Sequence, residues 1–450
     1  MAQFTQVDLL QVTTCLESNP KALLEDLLTA NPSVAFVRFQ WVDYAGIVRA
    51  KSLMVESCRS LLAEDNFVRL PPMALHCAID STLLPGTDYP GTHWLVPDWS
   101  SLRLSSNPKA LILMCGVYCG PTPYSLNSKW DLCPRGALVR QIQRAEDEWG
   151  LKFLVGFEVE FQVMKQADRR GDGMVPLSNG LGHFATAGML DPCWSVVEEC
   201  AEKLRSMGVR VASLHPEGLR GQYEIALSPS SPLQAVDELM LVRSVLKETF
   251  HSRGGTATLS PKPMAAGGQQ MNGQHMHISI QHANSDQEEW FLAGILKRLP
   301  NLWAILLAQK ASYDRVAPWM AGDRIAWGTE NRTVPIRRIR PDHWEIRGMD
   351  ATANVYLALA AVLSAGLIGI SNKAPLTWPD ASSSKADIQD DPLPRSLSES
   401  LAKLEDSSCG LDQMLGERLV RHYIDLKRYE LSQMEDMGSE KARNLLIEVF

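Results

Sequence analysis

Two stretches in the first part of the chain alternate apolar and polar residues with the period of a β-strand. In residues 34–54, β-branched and aromatic side chains alternate with polar ones on both sides of positions 43–46. This pattern predicts two strands joined by a turn at Asp43-Tyr44-Ala45-Gly46. Further strand-like runs occur at 94–97 and 110–118.

Leucines at helical spacing precede these strands. Between residues 1 and 30 they predict a helix that is broken at Pro20. The helix and the strands together predict a small α+β domain over residues 1–118. The Pro/Gly/Ser-rich residues 119–133 are then expected to be a connector.

The remainder, residues 119–450, is predicted to form one larger domain of strands and helices. A helix is expected from Pro134 to Gly150, because proline favours the first turn of a helix and glycine its end. After a polar loop at 379–396 the chain is expected to be helical. The intervening pattern predicts strands in 153–164, 210–215, 221–229, 256–261 and 275–280 and helices over 194–207 and 232–253.

Residues 351–370, ATANVYLALAAVLSAGLIGI, are about as long as a segment that crosses a bilayer. The segment is rich in alanine, contains polar residues, and follows the charged residues Glu345, Arg347 and Asp350. We therefore expect a buried helix and no membrane association. The first residues lack a basic start and a long apolar run, so no signal peptide is predicted.

Composition excludes several classes of protein. The 450 residues carry a net charge of −8, which argues against binding to nucleic acid or to an anionic membrane surface. The 9 cysteines form no CxxC pair, and Cys115 and Cys119 have no zinc-ligand partners nearby in the sequence. Reduced thiols in a cytoplasmic protein are expected.

Two carboxylates stand out in GFEVEFQ, residues 156–162. In a strand, residues two apart share a face, so Glu158 and Glu160 are predicted to point together, opposite Phe157, Val159 and Phe161. Adjacent carboxylates repel, and hard cations such as Mg²⁺ or Mn²⁺ are natural partners for them. The alternative is a solvated strand face.

Other strands carry groups of the same kind. Glu217 lies in a turn before Glu224, which shares a strand face with Gln222, and His275 and His277 form a same-face pair. Arginines follow in ENRTVPIRRI and HWEIRGMD, where the notable charged residues are Arg332, Arg337, Glu345 and Arg347.

Together these groups predict a site for two or three cations that faces an anionic substrate, as phosphoryl transfer requires. No Walker or GxGxxG motif is present, so a nucleotide would be held by another kind of fold.

The order of these pieces resembles the glutamine synthetase family over nearly the whole chain, with a texture closest to the glutamine-synthetase-like proteins of fungi. The supporting strings include GFEVEF, GQYEIAL, TATLSPKPM, NGQHMHIS, ENRTVPIR and WEIRGMDATANVYLALAAVLSAGL. The resemblance implies a β-grasp domain at 1–118 and an ATP- and metal-binding domain at 119–450. The latter would be the funnel of antiparallel strands, flanked by helices, that this family shares with guanidino kinases. It also implies a ring-shaped homo-oligomer with active sites between subunits.

The implied reaction uses ATP to phosphorylate the γ-carboxylate of glutamate, after which an amine displaces phosphate to form an amide. The implied cofactor is Mg²⁺ or Mn²⁺. One metal would be held by Glu160, Glu217 and Glu224, and the other by Glu158, His275 and Glu345. Glu160 would also help to bind substrate.

The remaining roles implied by the resemblance concern nucleotide, phosphate and acid substrate. His277, Ser279 and Arg337 would contact the nucleotide. Arg332 and Arg337 would act at the transferred phosphate, and Arg347 and Arg315 would lie near the glutamate carboxylates, with Arg347 also catalytic.

The chain departs from the family at the ammonium site. The DGSS-type loop is absent, and Asp80 is the only acid nearby. The flap that normally carries a glutamate reads RVAPWMAGDR, with Trp319 and Met320 at its turn and Asp323 further along. An apolar flap suits the carbon part of a larger amine. In addition, His343 replaces an arginine of the nucleotide site.

Three functions remain open from the sequence. The first is an ATP- and Mg²⁺-dependent ligase that joins a γ-carboxylate of glutamate, or of a similar acid, to an amine other than ammonia. The second is a true glutamine synthetase with a divergent ammonium pocket. The third is a catalytically silent scaffold, against which the clustered carboxylates argue, because a fold without chemistry has no reason to tolerate them.

Overall fold

The computed structural model describes residues 19–86, 91–120, 131–167, 173–264, 271–382 and 390–450. Its first part contains a six-stranded sheet in the order β2-β1-β6-β4-β3, with β5 paired to β6. Strands β1 and β6 are parallel, and the other pairs are antiparallel. The strands are β1 (Phe36–Val42), β2 (Val48–Met54), β3 (Val68–Leu70), β4 (His93–Pro97), β5 (Arg103–Leu104) and β6 (Ala110–Cys119).

The predicted hairpin at 34–54 is confirmed, with Val42 paired to Val48 across the turn. Gly46 adopts φ +86°, which only glycine takes readily. A Cβ there would also lie 3.2 Å from the carbonyl oxygens of Thr352 and Ala353. The turn therefore packs directly against the second part of the chain.

The second part contains a nine-stranded sheet in the order β13-β14-β15-β12-β7-β10-β9, with β8 and β11 both paired to β7. All of its pairs are antiparallel except β13 with β14. The strands are β7 (Lys152–Gln166), β8 (Met174–Pro176), β9 (Val211–Pro216), β10 (Gln222–Leu227), β11 (Thr256–Thr258), β12 (Gln274–Gln281), β13 (Trp327–Thr329), β14 (Ile336–Arg340) and β15 (His343–Ile346).

Helices surround the two sheets. They are α1 (Pro20–Ala30), α2 (Val55–Ala63), α3 (Met73–His76), α4 (Pro134–Trp149), α5 (Pro192–Ser206), α6 (Pro232–Ser252), α7 (Ser285–Leu306), α8 (Val355–Ser371), α9 (Leu397–Leu404), α10 (Leu411–Leu415), α11 (Glu417–Asp436) and α12 (Ser439–Val449).

The predicted starts and ends of helices are largely confirmed. Pro134 begins α4, and Gly150 ends it with φ +68°. Pro20 is the first residue of α1, capped by Asn19, while the segment before residue 19 lies outside the described residues. The mixture of two sheets and flanking helices confirms the predicted α+β class. The domain boundary at 118 stays a prediction, since most of the connector 119–133 is not described.

The apolar segment at 351–370 forms α8, which begins at Val355 after the side chain of Asn354 caps it. It packs tightly on α7, because a Cβ at Gly294 would lie 2.4 Å from the carbonyl oxygen of Ala365. Within the described part of the chain, no helix has the combination of length and apolar character needed to cross a membrane. Every cysteine described there is a free thiol.

Candidate active site

Strand β7 separates its carboxylates from its apolar side chains, as its sequence predicts. Phe157, Val159 and Phe161 are buried in the core. Glu158 and Glu160, on the opposite face, are partly accessible. The alternation with period two thus places both carboxylates on one face of the nine-stranded sheet.

The register of the neighbouring strands adds groups to that face. Glu224 of β10 lies opposite Glu160, and His275 of β12 lies opposite Glu158. On the other side of β12, Glu345 of β15 lies opposite His277. Residues far apart in the sequence therefore form one cluster because of strand pairing.

His275 lies at the centre of this cluster. Its Nδ1 is 3.0 Å from Glu158 Oε2 and 3.2 Å from Glu345 Oε1, and its Nε2 is 3.6 Å from Glu160 Oε1. The structure thus brings together the whole predicted set of Glu158, His275 and Glu345.

Glu217 and Glu224 meet at a second histidine that the sequence analysis missed. His215 Nε2 is 2.8 Å from Glu217 Oε2 and 3.7 Å from Glu224 Oε1. His215 precedes Glu217 by two residues and pairs with Glu224 across the sheet. The two-residue spacing is the signal that could have revealed it.

Glu160 is held differently from the other carboxylates. Its Oε2 accepts hydrogen bonds from Gln222 Nε2 at 3.1 Å and from the backbone N–H of Gly273 at 2.8 Å. A Cβ at Gly273 would lie 2.8 Å from His275 Nε2 and 3.1 Å from Glu160 Oε1. Glycine is therefore required there for the backbone to approach the cluster.

Three groups among the described residues have donor atoms close enough together to hold a metal ion. They are Glu158–Glu224–His275, Glu158–His277–Glu345 and His215–Glu217–Glu224. Carboxylate oxygens suit Mg²⁺ and Mn²⁺, and imidazole nitrogens are further ligands for divalent transition metals. The donor set therefore fits divalent cations, with His277 and His215 in addition to the predicted ligands, and with Glu160 outside these three groups.

The pKa values of Glu224 and Glu158 are shifted in opposite directions by their surroundings. Burial, together with the charges of Glu158, Glu160, Glu217 and Glu345, raises the pKa of Glu224 to about 10. Burial would also raise the pKa of Glu158, but hydrogen bonds from His275 and His277 outweigh it and lower that pKa. Crowding thus disfavours the charged form of Glu224, while the histidines favour the charged form of Glu158.

His277 links the carboxylate cluster to His343. Its Nε2 is 3.2 Å from Glu158 Oε1, and its Nδ1 is 3.0 Å from His343 Nε2. Burial, and then the neighbouring His277, lower the pKa of His343 to about 4. Ser279 lies on the same face of β12 and pairs with His343.

Two arginines flank the fully buried Glu345. Arg337 donates from Nη1 to Glu345 Oε2 at 3.0 Å, and its other nitrogen pairs with Glu330. Burial opposes the charge on Arg337, but these two hydrogen bonds outweigh it and raise its pKa. Arg347 donates to the other oxygen of Glu345. Both guanidinium groups are therefore held beside a predicted metal ligand.

The remaining predicted arginines differ from each other in burial. Arg315 is buried and donates to the carbonyl oxygens of Met349 and Arg347 at 3.1 and 3.3 Å. Burial lowers its pKa. Arg332 is exposed and makes no hydrogen bond or ion pair within the described residues.

The flap contacts one of these arginines through its backbone. Arg347 Nη2 donates to the backbone carbonyl of Trp319 at 3.3 Å, while the Trp319 side chain is 67% exposed and its φ is +72°. Asp323 instead pairs with Arg395 at 3.3 Å, and Asp80 bonds to Thr82. Because both acids are engaged in these contacts, neither replaces the flap glutamate that the sequence lacks.

Comparison with known proteins defines the class. A family model described as the glutamine synthetase catalytic domain matches residues 131–444. The chain belongs to the glutamine synthetase family, and it is a ligase of that kind. The predicted family and enzyme class are thereby confirmed.

The relatives include a fungal and a bacterial protein. The chain is 33% identical to Protein fluG of Emericella nidulans over 95% of its own length, which spans 50% of that protein. It is 30% identical to gamma-glutamylpolyamine synthetase GlnA3 of Streptomyces coelicolor, with 75% of each chain covered. The structure of apo GmaS matches the fold with a TM-score of 0.79 and 22% identity, over 93% of this chain and 97% of that one.

Proposed function

We propose that the protein is an ATP- and Mg²⁺-dependent ligase that joins the γ-carboxylate of glutamate, or of a similar acid, to an amine other than ammonia. The observation that carries the proposal is the convergence of five glutamates, three histidines and two arginines in one cluster along a face of the nine-stranded sheet and the turn at Glu217. No other cluster of this size and charge occurs in the part of the chain that the structure describes.

Each charged group has a proposed part in the reaction. Glu158, His275 and Glu345 would hold one cation, and Glu217 and Glu224, with Glu160 nearby, would hold another. Bound divalent cations neutralise the phosphate oxygens. Further residues would contact the substrates themselves. His277 and Ser279 would lie beside the nucleotide, and Arg337 and Arg332 at the transferred phosphate. Arg347 and Arg315 would bind the carboxylates of the acid substrate.

The chemistry has two steps. An oxygen of the γ-carboxylate attacks the γ-phosphorus of ATP, and the bond to the bridging oxygen breaks to release ADP. The amine nitrogen then attacks the acyl carbon, loses a proton and displaces phosphate. Arg337 and Arg347 support the first step, because guanidinium groups stabilise charge that develops on phosphoryl oxygens.

Two observations favour an amine over ammonium. The flap presents the exposed side chain of Trp319 where the family has a carboxylate. Asp323 forms an ion pair with Arg395 and so does not supply that carboxylate. One relative also bears the name gamma-glutamylpolyamine synthetase. A carbon-bearing amine gains from apolar contacts that ammonium cannot make.

The test is phosphate release from ATP with glutamate and Mg²⁺, comparing ammonium with a panel of primary amines at equal concentration. We expect kcat/KM to be at least about tenfold higher for the best amine than for ammonium. Equal or better turnover with ammonium would establish a glutamine synthetase instead. Oligomeric state, measured by light scattering on the same sample, tests the proposed ring.

A further inference from the structure

A cavity lies away from the carboxylate cluster, on the other side of the nine-stranded sheet. Its volume is about 570 Å³, and its walls come from β7, β8, α6, β11 and α12. Helix α6 covers the face of the sheet opposite the carboxylates, because the ring of Phe250 lies 6.2 Å from that of Phe161 in the core. Gln166 lines the cavity six residues after Glu160, which is about 20 Å along an extended strand. The cavity is therefore separate from the proposed active site.

Most of the cavity wall is apolar. Met174 of β8, Ala257 of β11 and Ile447 of α12 contribute to it. Cavities of about 300–1,000 Å³ with an apolar wall and a few placed polar groups are typical of small-molecule sites. The size and the wall suit a ligand with an aliphatic body, and the polar groups of the cavity decide which end groups that ligand carries.

Lys247 of α6 brings an ammonium group to the cavity. Its Nζ donates to the backbone carbonyl oxygen of Glu448 at 2.5 Å, and it forms no ion pair within the described residues. Burial, and then the charge of Arg243 one helical turn earlier, lower the pKa of Lys247 to about 8. A carboxylate on the ligand would accept from the remaining N–H groups and supply a direct counter-charge.

Two residues of α12 offer acceptors to the same cavity. Asn444 Oδ1 is buried and has no hydrogen-bond partner in the part of the chain that the structure describes. An unpaired buried acceptor costs free energy that a donor on a ligand would recover. Glu448 lies four residues later, on the same face of the helix, and its carboxylate forms no ion pair with the described residues. An ammonium group on the ligand would serve both acceptors.

The other titratable groups at the cavity are engaged elsewhere or open to solvent. Glu248 pairs with Arg38 at 3.8 Å and accepts a hydrogen bond from Ser106, both in the first part of the chain. His251 is exposed. One cation, Lys247, and one anion, Glu448, therefore remain for a ligand. A zwitterion complements this pair of charges, whereas an acid or an amine alone complements only one of them.

We propose that this cavity binds a free α-amino acid with an aliphatic side chain. Its carboxylate pairs with Lys247, and its ammonium group pairs with Asn444 Oδ1 and Glu448. Its side chain lies against Met174 and Ile447. The inference does not depend on the proposed ligase reaction, because it concerns the opposite side of the sheet.

The test measures binding of leucine by calorimetry, without ATP or glutamate, and compares it with 4-methylpentanoate and 3-methylbutylamine. These two probes are leucine without its ammonium group and leucine without its carboxylate. We expect a leucine Kd on the order of 1 mM and at least about tenfold weaker binding of both probes. Lys247→Gln and Asn444→Ala should each weaken leucine binding about tenfold. Lys441→Gln removes an exposed lysine of α12 outside the cavity wall, and this matched control should change nothing.

The inference is overturned if either probe binds as tightly as leucine, if the wild-type protein does not bind leucine, or if Lys247→Gln leaves the leucine Kd unchanged. Loss of leucine binding in Glu345→Gln would place the amino acid at the carboxylate cluster and would equally refute the cavity site. Melting temperatures measured without ligand separate loss of the site from loss of the fold. If a cavity variant does not fold, the comparison of leucine with its two probes on the wild-type protein decides.

Discussion

At the scale of single residues, the site combines groups that would repel one another without a counter-charge. Glu345 has no exposure to solvent, yet it contacts two arginines and His275. The pKa of Glu224, by contrast, is raised, because burial and the neighbouring carboxylates disfavour its charge. A bound cation would compensate both.

The first prediction concerns Glu345 and His275. Glu345→Gln replaces a proposed ligand with its neutral isostere, and His275→Asn replaces the imidazole with a smaller carboxamide. Changes to groups around metal ligands cost about 10–100-fold, so loss of a ligand should lower phosphate release at least that much. Circular dichroism should show an intact fold. Activity within a few-fold of wild type would contradict the assignment.

A second residue-scale prediction concerns Trp319. Arg347 bonds to its backbone carbonyl, so the substitution Trp319→Gly removes the indole while the peptide group that Arg347 contacts stays. Glycine also tolerates the positive φ. We expect the order of amine preference to change by about tenfold in kcat/KM while KM for ATP changes less than about twofold. An unchanged amine profile would count against the flap as a wall of the amine site.

At the scale of elements, the period-two pattern of β7 predicted which side chains share a face, and the structure confirms it. The same pattern did not reveal which strands pair, because register depends on contacts between distant segments. The spacing of His215 two residues before Glu217 is visible in the sequence, but its pairing with Glu224 is not. The arginines of residues 330–339 were noted in the sequence without a predicted strand, and only packing shows that Arg337 is buried and Arg332 exposed.

Helix α7 has no counterpart among the predicted elements. Pro300 interrupts its helical pattern, and the helix tolerates that proline within it. Its contact with α8 also depends on glycines whose role is visible only in three dimensions. Gly294 lies where a Cβ would be 2.7 Å from the Cα of Gly369. The sequence presents these glycines simply as poor helix formers.

The third prediction follows from that contact. Gly294→Ala should lower the free energy of unfolding by about 1–3 kcal/mol, because the added methyl group overpacks two helix backbones. Gly136→Ala in α4 is the matched control, since its Cβ would meet its nearest neighbour at 3.3 Å and can be accommodated by small shifts. Thermal unfolding of both variants measures the difference. Equal stability of the two variants would contradict the packing argument.

At the scale of the whole molecule, one unbroken core joins the two sheets and nearly all the helices. Contacts between the two parts include the bond from Asn354 Nδ2 to the Asp43 carbonyl oxygen and the pairing of Arg135 with Asp98 and Asp237. The family resemblance predicted the two-part architecture. The amine could not be predicted from sequence alone, because it depends on which side chains the fold leaves exposed beside the cluster.

The fourth prediction concerns metal removal. Cations that bind the folded cluster and not the unfolded chain should stabilise the protein by about 2.7 kcal/mol at 100 times their Kd. Chelation should therefore lower the melting temperature, and Mg²⁺ or Mn²⁺ should restore it. The control is Glu345→Gln, for which the shift should be smaller. A melting temperature independent of both cations would contradict a metal-binding cluster.

In the proposed reaction, a γ-carboxylate oxygen of the acid attacks the γ-phosphorus of ATP and leaves with the phosphate. The most direct measurement uses glutamate labelled with ¹⁸O in the γ-carboxylate, with ATP, Mg²⁺ and the preferred amine, followed by mass spectrometry of the released phosphate. The account predicts one labelled oxygen in each phosphate and one amide formed per ADP. Phosphate that carries no label would contradict it.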